Sequence, residues 1–381
     1  MIEAITDIDE ILANKHQWNR VAGSNPFWRW EWLANWLNQM GSSTRPMILV
    51  QTDAEGDWTG VAPFCLETRN FSRKLRFLGS GTTCTDYMTL ICGPEHRDSF
   101  TTEVAAWLDE SIDGQHHNQL SGFDLLDLEG VCLCDEMIKM LREKLTDLNF
   151  QASEMELENS WVSDLPSTWE EFRKQLSKSM RRKTKEAGKR LDAPTTRILT
   201  SRNAYAAFDT LWPVFTELHQ KRRKMLGQVG CFADENFEVF LKEATRQLVF
   251  EDLANLTVIE SNGTPLAASL VLFCDDRAMM YQTGFDVERQ RESPGYQIVL
   301  QGVRSAIAQG YKQFDFLRGD EPYKARWNTQ PRKLSTLRLI PPRLKAKVRQ
   351  NLWVSAKSLK GYAGQVVDFF GNGFGHSTSA N

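Results

Sequence analysis

Three consecutive strands, a helix and a fourth strand constrain the fold of this chain more than any other feature of its sequence. Residues 256–260 and 266–274 have strand patterns, and Asn262 and Gly263 between them favour a two-residue hairpin turn. Residues 278–285 continue as a third antiparallel strand. Pro294 then opens a helix that ends near residue 308, and residues 313–317 return to a strand pattern. This order predicts one α/β unit with an antiparallel core.

Helices and strands also alternate through the rest of the chain. An apolar stripe predicts a helix from Trp30 to Gly41, since Trp30, Leu33, Ala34 and Leu37 recur at helical spacing. The segments after it predict strands at 46–50, 59–66, 75–78, 87–91 and 123–128, with helices at 100–112 and 135–148. The second half predicts helices at 169–190, 204–226 and 234–248, and a strand at 196–200.

The length of 381 residues exceeds what a single hydrophobic core usually organises, so two units are expected. The boundary is predicted near residues 160–167. The predicted parts are an N-terminal half at 1–163, a C-terminal half at 164–340, and a basic helical tail with a frayed end at 341–381. The expected fold class is α/β (α+β), each half being a mixed, mainly antiparallel sheet flanked by helices.

Charge and cysteine usage exclude several classes of function. Lys and Arg number 46 against 49 Asp and Glu, a net charge of -3, which argues against a DNA-binding protein. We expect a cytoplasmic protein, because the acidic N-terminus does not resemble a secretory signal and no apolar run approaches the roughly 20 residues that span a bilayer. The seven cysteines are scattered, which predicts no disulfide framework, and no cysteine or histidine spacing indicates a metal site.

The start of the helix at Ser293, Pro294 and Gly295 is the first candidate site. Free N–H groups and the helix dipole favour an anion there, and glycine lets a phosphate approach the backbone. Arg289 and Arg291 precede the helix and would add charged donors. Proline followed by glycine is also common at helix starts that bind nothing, so the alternative is a helix start without a ligand.

A second cluster follows the strand at 313–317. Phe314 and Phe316 share one face of that strand, so Asp315 points to the other face. Asp315 and Asp320 are candidate proton acceptors and Tyr323 a candidate proton donor. The structural alternative is that Asp315 pairs with Arg318 in a turn.

His219 is the histidine best placed for acid–base chemistry, because its ordinary pKa lies near neutrality. It lies in a predicted helix beside Lys221, Arg222 and Arg223, so a solvated helix face is the competing interpretation. The densest basic run, at 173–185, predicts a cationic helix that is either solvated or in contact with phosphates or RNA.

The unit at 256–317 resembles the cofactor-binding core of the GNAT superfamily of acyl-CoA N-acyltransferases. Short motifs in one order extend this likeness to the CelD-type acetyltransferase family, whose members are labelled as cellulose-biosynthesis proteins. The motifs run through 218–222, 227–232, 266–268, 281–286, 293–295, 310–316 and 318–327, with weaker matches at 25–27, 61–64 and 78–87. The family is similar to the FemAB-type aminoacyltransferases in having two GNAT-like halves.

The resemblance implies acyl transfer from acetyl-CoA or another acyl-CoA to an amine or hydroxyl, without a metal. The implied acceptor is a small molecule or a glycan or peptidoglycan precursor of the cell envelope, as in polysaccharide biosynthesis. The implied residues fall into three groups. The catalytic group is Asp315, His219 and Tyr323; the cofactor-binding group is Arg289, Arg291, Ser293, Pro294, Gly295 and Tyr296; the acceptor-binding group is Arg222, Arg318, Asp320, Lys324 and Trp327.

Two other functions stay open at this point. The segment at 289–295 lacks the Gly-x-Gly spacing common in GNAT pyrophosphate loops, so a FemAB-like member using aminoacyl-tRNA is one alternative. A non-catalytic scaffold for envelope polysaccharide synthesis is the other. The basic and apolar tail at 343–360 also predicts packing on the protein or peripheral contact with an anionic membrane.

Overall fold

The computed structural model describes residues 2–69, 72–113, 122–202 and 205–343. The helices are α1 Ile8–Ala13, α2 Lys15–Ala22, α3 Trp30–Met40, α4 Arg97–Glu110, α5 Glu136–Asp147, α6 Trp169–Gln175, α7 Lys178–Leu191, α8 Phe208–Met225, α9 Glu235–Phe250 and α10 Pro294–Ala308. The strands are β1 Ile2–Ile5, β2 Thr44–Thr52, β3 Trp58–Arg69, β4 Ser72–Phe77, β5 Ile91–Cys92, β6 Leu125–Val131, β7 Gln151–Glu156, β8 Ser160–Asp164, β9 Thr196–Thr200, β10 Ala254–Ser261, β11 Thr264–Cys274, β12 Arg277–Phe285, β13 Gln313–Arg318, β14 Gln330–Arg332 and β15 Ser335–Ile340.

Two mixed sheets organise the described chain. The first has the order β1-β2-β3-β4-β6-β15-β7, with β5 beside β3, and the second has the order β14-β8-β13-β12-β11-β10-β9. One neighbouring pair in each sheet is parallel, β4 with β6 and β12 with β13, and the other pairings are antiparallel. The predicted fold class, two mixed and mainly antiparallel sheets flanked by helices, is confirmed.

The predicted boundary does not separate the strands of the two sheets. β15 lies between β6 and β7 in the first sheet, although it follows every strand of the second sheet in the chain. β8, which spans the predicted boundary after residue 163, pairs with β13 and β14 in the second sheet. The division into 1–163 and 164–340 stays a prediction about the sequence, because the two sheets exchange strands across it.

The two sheets share a hydrophobic core. Trp32 of α3 packs edge-on against Phe240 of α9, with ring centroids 5.0 Å apart, and against Tyr281 of β12 at 5.2 Å. Its indole N–H donates to Thr85 Oγ1 over 3.0 Å. A second core lies on the other face of the second sheet, where α7 and α10 bury Met180 and Leu300. Helices therefore cover both faces of the sheet that carries the predicted site.

Three expectations about local structure are wrong. The helix predicted at 169–190 is two helices, because Leu176 is extended and Ser177 caps α7 by accepting from the Met180 N–H. The strand predicted at 87–91 is reduced to Ile91–Cys92, since the positive φ of Tyr87, 61°, interrupts an extended chain. Cys132 and Cys134 are joined by a disulfide, so one pair departs from the expected reduced state.

Part of the tail predicted at 341–381 and its basic stretch lies outside the described residues, which end at residue 343. No helix among the described residues is long and apolar enough to cross a membrane.

Candidate active site

A gap between β12 and β13 forms the candidate site. The two parallel strands pair only at their first residues, from Arg277 with Gln313 to Met279 with Asp315. Beyond that point β13 turns away, because Leu317 adopts a left-handed conformation with φ of 56°. β12 also has an irregular register at this level, where Leu270 pairs with Gln282 and Val271 with Met280, which leaves Tyr281 as a bulge. The strands therefore separate into a cleft.

Two cavities open from this cleft. The gap cavity has a volume of about 500 Å³ and lies between the two halves of the chain; its lining is Cys84, Asp86, Glu158, Arg222, Arg223, Leu226, Gln228, Met280, Tyr281, Gln282, Thr283, Phe316, Leu317, Arg318, Gly319, Asp320, Glu321, Tyr323 and Lys324. The helix cavity has a volume of about 400 Å³ and lies at the start of α10; its lining is Arg222, Met225, Thr283, Phe285, Gln290, Ser293, Pro294, Gly295, Tyr296, Ile298, Val299, Tyr323 and Trp327. The two cavities meet at Arg222, Thr283 and Tyr323.

The start of α10 forms one wall of the helix cavity. Ser293 has a left-handed backbone, with φ of 57°, and its side chain does not cap the helix. The first N–H groups of a helix have no acceptor within it, so this end can bind an anion. A Cβ added at Gly295 would lie 3.5 Å from the Phe285 ring, an ordinary contact, so the absence of a side chain here is not dictated by packing. Gly295 instead leaves the helix start open to the cavity.

Two cations meet at the hydroxyl of Tyr296 on the same wall. Lys183 Nζ of α7 donates to it over 2.9 Å and lies 4.9 Å from the ring centroid, while an Arg326 N–H donates over 3.3 Å. Burial raises the pKa of Tyr296, but these two donors outweigh burial and lower it below its ordinary value. The helix cavity is therefore bordered by positive charge beside the helix start.

Arg222 lies where the two cavities meet. Its guanidinium donates to Thr283 Oγ1 over 2.6 Å and lies 5.1 Å from the centroid of the Phe285 ring. Burial lowers the pKa of Arg222, although arginine remains charged. Among the described residues, no carboxylate lies within salt-bridge distance of this guanidinium.

Tyr323 faces both cavities from the opposite side. Burial raises its pKa to about 12, and the nearby Glu321 carboxylate acts in the same direction, whereas Arg222 and Arg223 oppose it. The hydroxyl is therefore protonated at neutral pH and available as a hydrogen-bond donor. Its ring packs edge-on against Phe316, with centroids 6.2 Å apart, which fixes its position at the end of β13.

The turn after β13 is held by Lys324. Its buried ammonium donates to the carbonyls of Leu317 and Arg318 over 3.0 and 2.9 Å and forms an ion pair with Glu321 at 2.9 Å. Burial raises the pKa of Glu321, but Lys324 outweighs burial and lowers it. Asp320 lies exposed at the rim and accepts from Trp161 Nε1 over 3.0 Å. This turn presents two carboxylates and one phenol to the gap cavity.

Comparison with known proteins agrees with this geometry. Residues 172–325 match a family model described as "Acetyltransferase (GNAT) domain". This segment is similar to a GNAT domain. No curated protein sequence matches the chain significantly. The finer assignment to the CelD-type family has no such match and stays a proposal.

Solved structures with the same fold cover nearly the whole described chain. FemX has a TM-score of 0.59 at 10% identity, covering 88% of this chain and 96% of its own. L-PGS from Bacillus licheniformis has a TM-score of 0.52 at 8% identity, and the match covers 92% of this chain and 96% of L-PGS. A conserved protein of unknown function from Bacteroides thetaiotaomicron VPI-5482 has a TM-score of 0.54 at 12% identity, and the match covers 89% of this chain and 100% of that protein. At these identities the likeness shows the fold alone.

Asp315, one of the two aspartates predicted as candidate proton acceptors, lines neither cavity. It is fully buried and accepts from Tyr87 and Ser160, both over 2.6 Å, and from the Leu317 N–H over 2.8 Å. The last of these bonds holds Leu317 in its left-handed conformation. Asp315 thus supports the divergence of β13, which suits a positioning role better than proton transfer.

His219, the second predicted catalytic residue, is also buried behind the cavity wall. Its Nε2 lies 3.1 Å from Gln282 Oε1, and Gln282 lines the gap cavity. Burial and then Arg223 lower its pKa to about 4, so the imidazole is neutral near pH 7. The structure places His219 as a support for Gln282 rather than in the gap itself.

The other predicted residues divide between the cavities and the structure around them. Arg222, Ser293, Pro294, Gly295, Tyr296, Arg318, Asp320, Tyr323, Lys324 and Trp327 line at least one cavity. Arg289 and Arg291 line neither cavity. Arg289 pairs with Glu292 at 2.7 Å, and Arg291 is exposed. The predicted phosphate contacts therefore lie away from the cavity.

Arg318 connects the segment 172–325 to the first half of the chain. It pairs with the buried Asp86 at 2.7 Å and with Glu129 at 3.0 Å. Burial raises the pKa of Asp86 to about 6 although Arg318 acts in the opposite direction. With its charge already balanced by two carboxylates, Arg318 shapes the floor of the gap cavity.

Lys183 belongs to the basic run at 173–185, for which contact with phosphates was one predicted alternative, whereas Arg223, Thr283 and Glu321 were given no role in a site. The pattern of α7 contained a signal for Lys183. Its inner stripe, Met180, Thr184, Ala187 and Leu191, recurs at helical spacing and places Lys183 at the edge of the buried face. The positions of the other three depend on the meeting of α8, β12 and the turn after β13, which no local pattern encodes.

No group of three or more potential metal ligands occurs among the described residues.

Proposed function

We propose that the protein transfers an acyl group, with acetyl as the first candidate, from acyl-CoA to an amine or hydroxyl of a sugar-like or cell-envelope acceptor. The observation that carries the proposal is the pair of joined cavities in the gap between β12 and β13. One cavity faces an open helix start and the other faces a mixed charged surface. Such a pair gives a donor and an acceptor separate entrances to one reaction point at Arg222, Thr283 and Tyr323.

The helix cavity suits the phosphate-bearing donor. At the α10 start Pro294 has no N–H and the Tyr296 N–H donates to the Ser293 carbonyl over 3.0 Å, so the Gly295 N–H is the backbone donor that faces an anion there. Lys183 and Arg326 supply positive charge beside Tyr296. The apolar part of the cavity, which includes Ile298, Val299 and Phe285, suits an uncharged thioester arm. These residues fit acyl-CoA without a metal.

The chemistry requires one proton to leave the acceptor and one to reach the sulfur. The amine attacks the thioester carbonyl, a C–N bond forms, and the C–S bond breaks to release the thiolate. A thiol has an ordinary pKa of about 8.5, so the thiolate needs little acid assistance. Tyr323 is protonated and can donate a hydrogen bond to the leaving sulfur, while Asp320 at the rim can accept the amine proton. No covalent enzyme intermediate is needed.

Aminoacyl transfer from aminoacyl-tRNA is the second candidate, favoured by the fold shared with FemX. The outer face of α7 provides a surface for RNA, because its exposed side chains include five cations and one carboxylate, Glu186. The cations are Lys178, Arg182, Lys185, Lys189 and Arg190. A non-catalytic scaffold in envelope polysaccharide synthesis, with this fold but without turnover, is the third.

Thermal unfolding with acetyl-CoA, longer acyl-CoAs and CoA tests the donor site. Saturation at about 100 times Kd should stabilise the protein by about 2.7 kcal/mol and raise its Tm. Gly295→Leu fills the space at the helix start and should abolish the shift. Ala308→Leu, at an exposed position in the last turn of the same helix, is the matched control and should retain it.

The outcomes separate the three candidates. Aminoacyl transfer would be favoured by two results together. The Tm would not shift with any acyl-CoA, and bulk tRNA would bind with a steep salt dependence that falls when Arg182, Lys185 and Lys189 are neutralised. Acyl-CoA binding without CoA release on any amino-sugar or amine-bearing peptide would favour the scaffold. An unchanged shift in Gly295→Leu would exclude the α10 start as the donor site.

A further inference from the structure

The gap cavity has an uneven distribution of charge. Four cations and four carboxylates line it. The cations are Arg222, Arg223, Arg318 and Lys324, and the carboxylates are Asp86, Glu158, Asp320 and Glu321. Which of these charges are already paired decides what the cavity can bind.

Two of the cations are balanced within the protein. Arg318 forms ion pairs with Asp86 at 2.7 Å and Glu129 at 3.0 Å. Lys324 pairs with Glu321 at 2.9 Å and donates to two backbone carbonyls. Neither has charge left for a ligand, so they form the frame of the cavity.

The other two cations have neutral partners. Arg222 donates to Thr283 Oγ1 over 2.6 Å, and Arg223 donates to Gln228 Oε1 over 2.9 Å. The ring nitrogen of His219, 3.4 Å from Arg223 Nε, also belongs to a neutral group. Two adjacent guanidiniums next to the same cavity repel each other, and desolvating a charge without a counter-ion is costly. This end of the cavity is therefore ready to bind an anion.

The remaining carboxylates lie at the rim with neutral partners or solvent around them. Asp320 accepts from Trp161 Nε1 over 3.0 Å and from Asn159 Nδ2 over 3.2 Å, and Glu158 is exposed. Tyr323 lines the cavity together with Arg222 and Arg223 on one side and Asp320 and Glu321 of its own turn on the other. The cavity thus has a positive end on α8 and a negative rim after β13.

We propose that the acceptor carries an anionic group, a carboxylate or a phosphate, in addition to its nucleophilic amine. The anion binds Arg222 and Arg223, and the amine, which is protonated in solution, enters on the side of Asp320. It releases one proton to solvent at this exposed rim before it attacks, and the second proton leaves the nitrogen as the C–N bond forms. The two charges hold the amine beside Tyr323 at the junction of the cavities. This inference rests on the proposed acyl transfer and narrows its acceptor to a doubly charged class.

Three amino-sugars that share the same amine position test the proposal. The probes are glucosamine, glucosamine 6-phosphate and 2-amino-2-deoxyglucuronic acid, which carry at carbon 6 no anion, a phosphate or a carboxylate. Calorimetry measures the binding of each sugar with and without saturating CoA, and CoA release from acetyl-CoA measures turnover. At least one anionic sugar should bind about 10-fold to 100-fold more tightly than glucosamine. The sugar that binds more tightly shows whether the site prefers a phosphate or a carboxylate.

Variants locate the anion site. The pair Arg222→Gln and Arg223→Gln should weaken binding of the anionic sugar by about 10-fold to 100-fold and so remove the preference over glucosamine, and Arg222→Lys should keep part of it. Arg197→Gln removes an exposed arginine of β9 and is the matched control. Circular dichroism and Tm establish that each variant is folded.

Failure of the inference and failure of the proposed function are distinguishable. Equal or undetectable binding of all three sugars, or a preference that survives the double substitution, overturns the anion site even if acetyl-CoA binds. Loss of CoA binding in the double variant, with the sugar preference intact, would assign the two arginines to the donor instead and equally overturn the inference. A sugar preference without any acyl-CoA binding would retain the anion site and refute the acyltransferase.

Discussion

At the scale of single residues, burial decides what the ionisable groups near the gap can do. Asp315 was expected to take a proton, yet its carboxylate is fully buried and accepts three hydrogen bonds, one of which fixes the backbone of Leu317. Asp320 and Tyr323, five and eight residues later, reach the gap cavity. An alternating strand pattern indicates the side of the sheet on which Asp315 lies. It does not indicate which residues surround the carboxylate there, because these come from β8 and from Tyr87 in distant parts of the chain.

His219 makes stability depend on pH in a defined range. Its folded pKa of about 4 lies below the ordinary value of 6.5, so only the unfolded chain binds a proton between these values. The contribution of the neutral imidazole to the free energy of unfolding is fully present above pH 6.5 and is lost as pH falls through about 4. The total loss is on the order of 3 kcal/mol. His219→Gln should remove this loss.

Denaturant unfolding at pH 7 and at pH 4.5 measures the effect. The free energy of unfolding should fall more in the wild type than in His219→Gln over this interval. His16→Gln, which replaces an exposed histidine of α2, is the control and should behave like the wild type. The same pH dependence in all three proteins would contradict a buried neutral imidazole.

At the scale of elements, close contact between α8 and β12 places the arginines of α8 over the gap. Gly284 of β12 permits this approach, because a Cβ there would lie 2.2 Å from the His219 backbone nitrogen and 2.5 Å from the Leu218 carbonyl carbon. Backbone atoms cannot rotate away from such a clash. The separation of the two elements, and with it the position of Arg222, is therefore set by a missing side chain.

Gly284→Ala should consequently destabilise the protein by about 1–3 kcal/mol. The matched control is Gly295→Ala, since an added Cβ there makes only ordinary contacts with Phe285 and should change stability by a few tenths of a kcal/mol. Chemical denaturation of both variants measures the difference. Equal stability of the two would show that α8 and β12 are not held at this distance.

The sequence predicts most elements of the second sheet, and the reason is local. The Asn262-Gly263 turn, the alternating strands and Pro294 at the start of α10 are signals contained in short segments. The break at Leu176 and Ser177 is weaker in sequence, since Arg181 completes it by donating to the Lys174 and Leu176 carbonyls. Among the site residues, the start of α10 was predictable from Ser293, Pro294 and Gly295, whereas the ion pair of Arg289 with Glu292 was not.

At the scale of the whole molecule, the two halves form one structure with the cleft between them. β15 completes the first sheet, β8 completes the second, and Arg318 binds Asp86 and Glu129 of the first half. Such non-local pairing leaves no periodic signal in the sequence, which explains why it was not predicted. Its consequence is that Cys84 and Asp86 of the first half line the gap cavity together with residues of the second half.

The central claim is that acyl-CoA binds in the cleft between β12 and β13 at the start of α10. Amide hydrogen exchange with and without saturating acetyl-CoA tests it most directly, because it reports which backbone segments the donor protects. The account predicts protection concentrated in residues 283–297 and 314–324, with exchange in β2 and β3 unchanged. Acetyl-CoA binding that protects other segments and leaves the first turn of α10 unprotected would contradict it.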